Sequence, residues 1–239
     1  MKNKITGMAI MGAMFFASSC TKEVINGTGP VVTQERTVSN FTGIDLSLCA
    51  TVNYTEADSF KVEITAQQNV LNEIITEVNN NRLVIRLPWD TKLVSFEPVI
   101  INISAPAVSD FAISGSGKII SSDTLHVSNS DFNISGSGDI NIAGIITNDI
   151  DTRVSGSGKI VISGGSSATV TTDISGSGNT DLLGVTAGSA KVYTSGSGDT
   201  KLNVTNNLDA HISGSGKVYY TGNPAISADI SGSGKLIHL

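Results

Sequence analysis

The sequence feature that most constrains the fold is the tetrapeptide Ser-Gly-Ser-Gly, which occurs seven times in the second half of the chain. Its copies start at Ser114, Ser135, Ser155, Ser175, Ser195, Ser213 and Ser231. The intervals between successive copies are 21, 20, 20, 20, 18 and 18 residues. A period near twenty is typical of proteins in which each repeat is one coil or one supersecondary unit stacked on the next. The sequence therefore predicts seven stacked repeats over residues 111–239.

Apolar residues flank each tetrapeptide at fixed distances. The residue immediately before it is Ile, Val or Thr in every copy, and the second residue after it is Ile, Thr, Val or Leu. Positions two residues further out, such as Phe111, Phe132 and Ile142, continue the alternation. This period of two predicts strands with one buried face, so each repeat supplies a strand, a bend and another strand. The glycines of the bend permit positive φ and a close approach of neighbouring backbones.

We predict that the chain is all-β and that its repeats form a parallel β-solenoid, or β-helix, with about 18–21 residues per coil. In such a stack, equivalent residues lie above one another at a spacing of about 4.8 Å. The alternative is an antiparallel β-meander or prism, in which each tetrapeptide is a hairpin turn. The solenoid is favoured because a parallel stack aligns identical residues, whereas a meander has no need for matching turns.

A polar residue follows each tetrapeptide and, together with the serines, forms the predicted binding surface. Stacking in register would place opposite charges beside one another at several of these positions, and would let the serine hydroxyls hydrogen-bond along the stack. The resulting candidate binding ladder consists of Ser114, Lys118, Ser135, Asp139, Ser155, Lys159, Ser175, Asn179, Ser195, Asp199, Ser213, Lys217, Ser231 and Lys235.

Aspartates recur four residues before the tetrapeptide, at Asp110, Asp131, Asp151 and Asp209. Stacking would bring three of them into one acidic column, which raises the alternatives of a calcium site or a carboxylate pair that cleaves polysaccharide. The simpler interpretation is that aspartate suits the turn entering a strand. Scattered histidines argue against a zinc site, and no Gly-Ser-Gly-Lys is followed by the Ser or Thr of a phosphate loop. We therefore predict no catalytic residues, no metal and no cofactor, while calcium binding by the acidic column stays open.

The first half of the chain lacks the repeat and is predicted to be irregular β structure over residues 37–110. Alternation from Ile44 to Val52 predicts one strand. Further strands are predicted over 62–64, 83–87 and 99–103. An apolar stripe over 69–78, with Asn69 as N-cap, predicts one short helix. This part is expected to supply extra coils and the cap that protects a solenoid from edge-to-edge aggregation.

The N-terminus has the features of a secretory leader. Lys2 and Lys4 precede an apolar stretch that is too short to span a bilayer as a mature helix. The string Ala-Ser-Ser-Cys ending at Cys20 resembles the lipobox of bacterial lipoproteins, whose cysteine is acylated after cleavage. We predict a signal peptide over 1–19, a lipid on Cys20 and a tether over 20–36. An ordinary secretory leader cut nearby is the alternative.

The net charge, the aromatic content and the second cysteine each argue against a further kind of site or bond. The net charge of −6 at pH 7 argues against a nucleic acid partner, which needs a concentrated basic face. Aromatic residues make up only 5% of the chain, so nothing indicates an aromatic sugar-binding cleft. With Cys20 acylated, Cys49 has no disulfide partner and is predicted to be a packed or half-exposed residue of a strand.

Residues 40–45 open an alternating strand, residues 70–87 read as a helix followed by a strand, and serial Ile-Ser-Gly-Ser-Gly-Lys coils follow a lipoprotein leader. Together, over about residues 37–239, these features resemble the putative auto-transporter adhesin, head GIN domain family. The resemblance implies a secreted or lipid-anchored solenoid protein of Gram-negative bacteria without established enzymatic activity.

The expected function is that of an adhesin in the cell envelope, anchored to the outer membrane by its N-terminal lipid. Its expected ligand is a glycan or a host or envelope protein, bound along the repetitive polar face. A polysaccharide-acting enzyme of the β-helix type and a purely structural envelope component are the alternatives.

Overall fold

The computed structural model describes residues 23–239, which form twenty strands and one short helix. The elements are β1 (Glu23–Asn26), β2 (Val31–Arg36), β3 (Gly43–Ser47), β4 (Thr51–Glu56), β5 (Lys61–Gln67), α1 (Gln68–Glu73), β6 (Ile75–Asn79), β7 (Arg82–Arg86), β8 (Thr91–Ser95), β9 (Ile100–Ala105), β10 (Asp110–Gly115), β11 (Lys118–His126), β12 (Asn129–Gly136), β13 (Asp139–Gly156), β14 (Lys159–Ile162), β15 (Gly165–Gly176), β16 (Asn179–Gly196), β17 (Asp199–Gly214), β18 (Lys217–Thr221), β19 (Ala225–Gly232) and β20 (Lys235–His238).

Successive repeats pair as parallel strands in register, which confirms the predicted parallel β-solenoid. Ser135 lies beside Ser155, and Gly136 beside Gly156. The tetrapeptides stay in register to the last repeat, so the seven repeats make about 6 turns of the solenoid. The two strands that flank a tetrapeptide pair with the equivalent strands of the neighbouring coils and not with each other, so the tetrapeptides are not hairpin turns and the antiparallel alternative is excluded.

Each coil contains three stretches that pair with the coil before it, and we call them faces A, B and C. Face A contains the stretches that end at the first Ser-Gly of the tetrapeptide, such as 149–156. Face B contains the stretches that follow the tetrapeptide, such as 159–162, and face C the shorter stretches that return the chain, such as 165–167. The tetrapeptide turns the chain from face A to face B, and we call it the AB corner.

Glycine backbones form the AB corner, as the sequence predicted. Gly136 has a φ of +127°, and a Cβ at this position would lie 2.6 Å from the carbonyl oxygen of Gly115 in the previous coil. At the buried Gly138, an added Cβ would lie 2.6 Å from Cγ2 of Ile113. In the coil formed by β3 and β4, the corner contains Cys49, which is exposed in a bend and not in a strand as predicted.

Alternate side chains point inward and fill one continuous core. In the first six repeats the residue that precedes the tetrapeptide, such as Ile134 or Ile212, is buried, whereas Ile230 of the last repeat is 40% exposed. Phe111 and Phe132, one coil apart, stack with ring centroids 5.4 Å apart and an interplanar angle of 5°. Threonines occupy inward positions beside the tetrapeptides, as the aligned repeats predicted, and the serines Ser121, Ser130 and Ser167 are also buried.

The first half of the chain adds two coils, but their order in the stack differs from their order in the sequence. Strands β7 and β9 form the outer coil, and the earlier strands β3 and β4 lie between this coil and the first repeat. Antiparallel strands then close this end of the solenoid: β5 pairs with β9, β2 with β5, and β6 with β7. Residues distant in sequence therefore cover the edges that the outer coil would otherwise expose.

The helix is shorter than predicted. It ends at Glu73, and residues 75–79 form a strand that pairs with β7, so the apolar stripe over 69–78 serves two elements. Asn69 is not the N-cap: its Oδ1 accepts a hydrogen bond from the backbone N–H of Thr28 at 2.8 Å, and its Nδ2 donates to the carbonyl of Asn26 at 2.7 Å. The early end of the helix and the role of Asn69 both result from pairing with residues distant in the sequence, which a local sequence pattern does not reveal.

The tether predicted over 20–36 is corrected, because residues 23–36 belong to the folded body. β1 pairs with β8, and β2 is an edge strand that pairs with β5. The polar composition of β2 suits its position, because one side of the strand is unpaired and most of its side chains are exposed. Cys20 and the predicted signal peptide lie outside the described residues. Over residues 23–239, no helical segment is both long and apolar enough to cross a membrane.

Candidate functional site

The predicted ladder residues form two columns beside the AB corner. All seven serines, from Ser114 to Ser231, follow one another in register and are exposed. The residues after the tetrapeptide align in the same way on face B, in one run from Lys118 to Asn179 and another from Asp199 to Lys235. The structure therefore brings together the residues that the repeat pattern selected.

The serine hydroxyls do not form the predicted hydrogen-bonded ladder. Within residues 23–239, no hydroxyl of this column bonds to another serine of the column. Backbone groups hold the corner instead: the N–H of Ser157 donates to the carbonyl of Gly136 at 2.8 Å, and that of Ser177 to Gly156 at 2.9 Å. The hydroxyls are consequently not needed to hold the corner together and face solvent.

The charges on face B are aligned but do not form the expected pairs. Across the described chain, no ladder lysine forms an ion pair with a ladder aspartate. Short side chains instead accept hydrogen bonds from the next coil: the N–H of Asp199 donates to Asn179 Oδ1, and that of Lys217 to Asp199 Oδ1, each at 3.0 Å. Nothing in the structure explains why Lys235 follows Lys217 in the column.

The AB corner separates two faces of different charge, a feature that the sequence analysis missed. Face A of the repeats carries seven aspartates against two basic residues, whereas face B carries five lysines against three aspartates. The charged residues of face A are Asp110, Asp131, Asp149, Asp151, Asp173, Asp209, Asp229, Arg153 and Lys191. Those of face B are Lys118, Lys159, Lys201, Lys217, Lys235, Asp139, Asp181 and Asp199. A ligand lying along the corner would therefore contact hydroxyls between an acidic and a more basic surface.

The predicted acidic column is present, but arginines occupy part of it. Asp110, Asp131 and Asp151 follow one another in register. Arg82 forms an ion pair with Asp110, and Arg153 Nη1 lies 3.6 Å from Asp131 Oδ1. Burial raises the pKa of Asp110, and the nearby Arg82 opposes that shift. No group of three or more His, Cys, Asp or Glu side chains in residues 23–239 is arranged to hold a metal ion.

Face A also carries an exposed aromatic pair that the sequence analysis did not identify. Tyr193 and His211 occupy the same position of adjacent coils, and their rings stack with centroids 5.2 Å apart and an interplanar angle of 5°. Asp209 Oδ1 lies 3.3 Å from Nε2 of His211, and Asp229 Oδ2 lies 4.0 Å from Nδ1. Tyr193, His211 and Asp229, together with neighbouring serines, line a shallow depression beside the AB corner. Aligning the outward columns as well as the inward ones would have revealed the pair.

A comparison of the sequence with models of known protein families identifies the family of this chain. The family model described as putative auto-transporter adhesin, head GIN domain, matches residues 40–224. The chain belongs to this head GIN domain family. The resemblance seen in the sequence is thereby confirmed. No protein with a curated description matches the chain.

Solved structures share the fold of this family member at low sequence identity. A structure described as a putative adhesin from Bacteroides fragilis NCTC 9343 has a TM-score of 0.85 and 23% identity, covering 90% of this chain and 100% of its own. A putative adhesin from Parabacteroides distasonis ATCC 8503 has a TM-score of 0.74 and 22% identity, covering 91% and 100%. A putative lipid binding protein from the same strain has a TM-score of 0.72 and 22% identity, again covering 91% and 100%. At such identities the likeness establishes the fold alone.

The family description places this head GIN domain chain among proteins described as putative adhesins. An adhesin acts at the cell surface, so the family description associates the chain with the cell envelope or its surface.

Proposed function

We propose that the chain is a lipid-anchored adhesin that binds an extended ligand, a glycan or a segment of a host or envelope protein, along the AB corner. The observation that carries this proposal is the column of seven exposed serines in register. A hydroxyl both donates and accepts hydrogen bonds, which suits polar ligands of either class.

The mechanism is multivalency. Equivalent hydroxyls recur about every 4.8 Å along a rigid stack, so an extended ligand meets several weak contacts without a large ordering cost in the protein. Contacts made by one ligand to successive coils reinforce one another, because the first contact raises the effective concentration for the next. The charged faces on either side of the corner would favour ligands that carry complementary groups.

Lipid anchoring at Cys20 is part of the proposal and rests on the lipobox-like string. The capped end of the solenoid contains β1 and β2, so an anchor just before Glu23 would hold that end near the bilayer. The repeats then extend from this end. Labelling with a radioactive fatty acid, compared between the native chain and Cys20→Ser, tests the anchor. Protease treatment of intact cells tests whether the repeats face outward.

The ligand contacts are tested by removing three hydroxyls from the middle of the column. The variant Ser155→Ala/Ser175→Ala/Ser195→Ala is expected to bind its ligand on a glycan or protein array about tenfold or more weakly, because each polar contact is worth roughly 0.5–1.5 kcal/mol. Ser166→Ala/Thr186→Ala, on the exposed side of face C, is the matched control and should bind like the native chain. Equal binding by all three proteins would refute the role of the serine column.

The same preparation tests the enzyme alternative. Asp131→Ala/Asp151→Ala removes two neighbouring carboxylates of the acidic column. Cleavage of a polysaccharide library by the native chain, lost in this variant, would favour an enzyme. If the native chain binds nothing on the glycan array or the protein array, a structural envelope component is favoured instead.

A further inference from the structure

An exposed apolar surface lies at the capped end of the solenoid. Strands β1 and β8 form a two-stranded parallel ribbon that is separate from the main sheet. Leu93, opposite Ile25 in the ribbon, packs against the core. On the other side of the ribbon, Val24 and Val94 are each 55% exposed, and Trp89, just before β8, is 76% exposed. We call Val24, Trp89 and Val94 the ribbon patch.

The ribbon patch is an elaboration of the AB corner. In the repeats this corner takes four residues, whereas in the outer coil residues 87–99 connect β7 on face A to β9 on face B. The longer connection leaves the coil, pairs with β1 and returns. Nothing in the coil requires this excursion, because the coil of β3 and β4 closes its corner with only residues 48–50. An exposed apolar surface built by such an excursion is typical of a contact with another phase or molecule.

The sequence before the ribbon points to what the patch contacts. Cys20, the proposed lipid attachment site, precedes Glu23 by three residues. Three extended residues reach at most about 11 Å. A lipid on Cys20 would therefore hold β1 within that distance of the bilayer, and since β2 is also folded, no long tether lets the body move away.

We propose that the ribbon patch docks into the interface of the bilayer that holds the lipid. This inference rests on the lipid anchor proposed above. Tryptophan is favoured at membrane interfaces, because its ring is largely apolar and its N–H stays near polar groups. Val24 and Val94 add exposed apolar area on the ribbon itself.

Charges around the patch indicate an apolar and not an electrostatic attachment. The two negative charges of Glu23 and Asp90 are offset only in part by the single positive charge of Lys92. Attraction to anionic lipids needs clustered basic side chains, which the ribbon lacks. Binding of the patch is consequently expected to be insensitive to salt. Docking at this end directs the repeats, with their serine column, away from the membrane.

Trp89 is the only tryptophan of the chain and reports on this contact directly. The acylated mature protein, which begins at Cys20, is reconstituted into phosphatidylcholine–phosphatidylethanolamine vesicles and compared with Cys20→Ser in solution. In vesicles, the Trp89 emission is expected to shift to shorter wavelength and to lose intensity when the lipids carry a quencher near the headgroups. Both effects should persist when the salt concentration is raised from about 0.1 M to about 1 M.

Two variants that keep the reporter separate docking from mere proximity. Val24→Ser/Val94→Ser removes the aliphatic part of the patch and is expected to reduce the shift and the quenching. Ile146→Ser removes an exposed isoleucine of similar accessibility on face C and should leave both unchanged.

The outcomes distinguish this inference from the anchor on which it rests. Acylated protein that floats with the vesicles but keeps the emission of the solution form overturns docking and leaves the anchor intact. A full-length chain that carries no lipid overturns both. Emission that is already shifted in solution, together with a dimer in sedimentation, would show that a second copy covers the patch and would overturn membrane docking.

Discussion

Glycine substitutions at the AB corner test whether the coils touch as closely as the structure shows. Three glycines separate the two ways in which a side chain can disturb this corner. Gly115 has a φ of +114°, and an added Cβ would meet nothing within 4 Å. Gly158 has no positive φ, but its Cβ would lie 2.6 Å from the carbonyl oxygen of Gly138. Gly156 combines both, with a φ of +123° and a Cβ that would overlap the carbonyl oxygen of Gly136.

The expected losses of unfolding free energy follow from these differences. A strained φ costs about 1–3 kcal/mol, and overpacking against a rigid neighbour costs about 1–3 kcal/mol. Gly115→Ala and Gly158→Ala should therefore each destabilise by about 2 kcal/mol, and Gly156→Ala by about 4 kcal/mol. Reduced freedom of the unfolded chain offsets about 0.4–1 kcal/mol in each case, so the order of the three is unchanged. Gly156→Val should destabilise the protein more than Gly156→Ala.

Equilibrium unfolding in urea, followed by far-ultraviolet circular dichroism, measures these differences. Variants are compared at equal transition slope, because a repeat array can lose cooperativity and a changed slope would indicate partial unfolding. If Gly156→Ala is no more destabilising than Gly115→Ala, the contact between coils contributes nothing and the reasoning is refuted. A native-like midpoint for Gly158→Ala would contradict the close approach on its own.

Three further predictions concern buried hydroxyls. Thr194, only 2% exposed, lies between Ile174 and Ile212 in the stack, and its Oγ1 has no hydrogen-bond partner. Thr194→Val should therefore stabilise the protein by about 1 kcal/mol in the same urea titration. Thr172→Val should instead destabilise the protein, because it removes the acceptor of a 3.0 Å hydrogen bond from Thr152. Burial raises the pKa of Tyr54 to about 12, and its hydroxyl donates to the carbonyl of Ala105 at 3.0 Å. Since the folded state holds this proton more tightly than the unfolded chain, its contribution to stability is complete below about pH 10 and is lost as the pH rises to about 12. Tyr54→Phe should remove that part of the pH dependence, and an unchanged pH profile would show that Tyr54 is not its source.

The solenoid could be predicted from the sequence because its information is local and repeated. The interval between Ser-Gly-Ser-Gly copies sets the coil length, and the alternation around them sets which side chains face inward. Stacking in register then follows, since a shift by one residue would turn Ile134 outward and expose the core. The serine and face B columns followed from the same period.

The rest depended on contacts that no local pattern contains. Insertion of β3 and β4 between the outer coil and the first repeat, and the pairing of β6 with β7, join segments that are separated in the sequence. The same is true of Arg82 beside Asp110, which partly neutralises the acidic column, and of β1 on β8, which builds the ribbon patch.

The sequence by itself thus determined the coil, its inward columns and the identity of the polar ladder, because each depends on neighbours at a constant spacing. Tertiary structure alone decided the order of the first coils, the partners of the charged side chains and the apolar surface at the capped end. Those features depend on which distant segments lie side by side, and the free energy of such contacts is set by packing and hydrogen bonds formed only once the chain has folded.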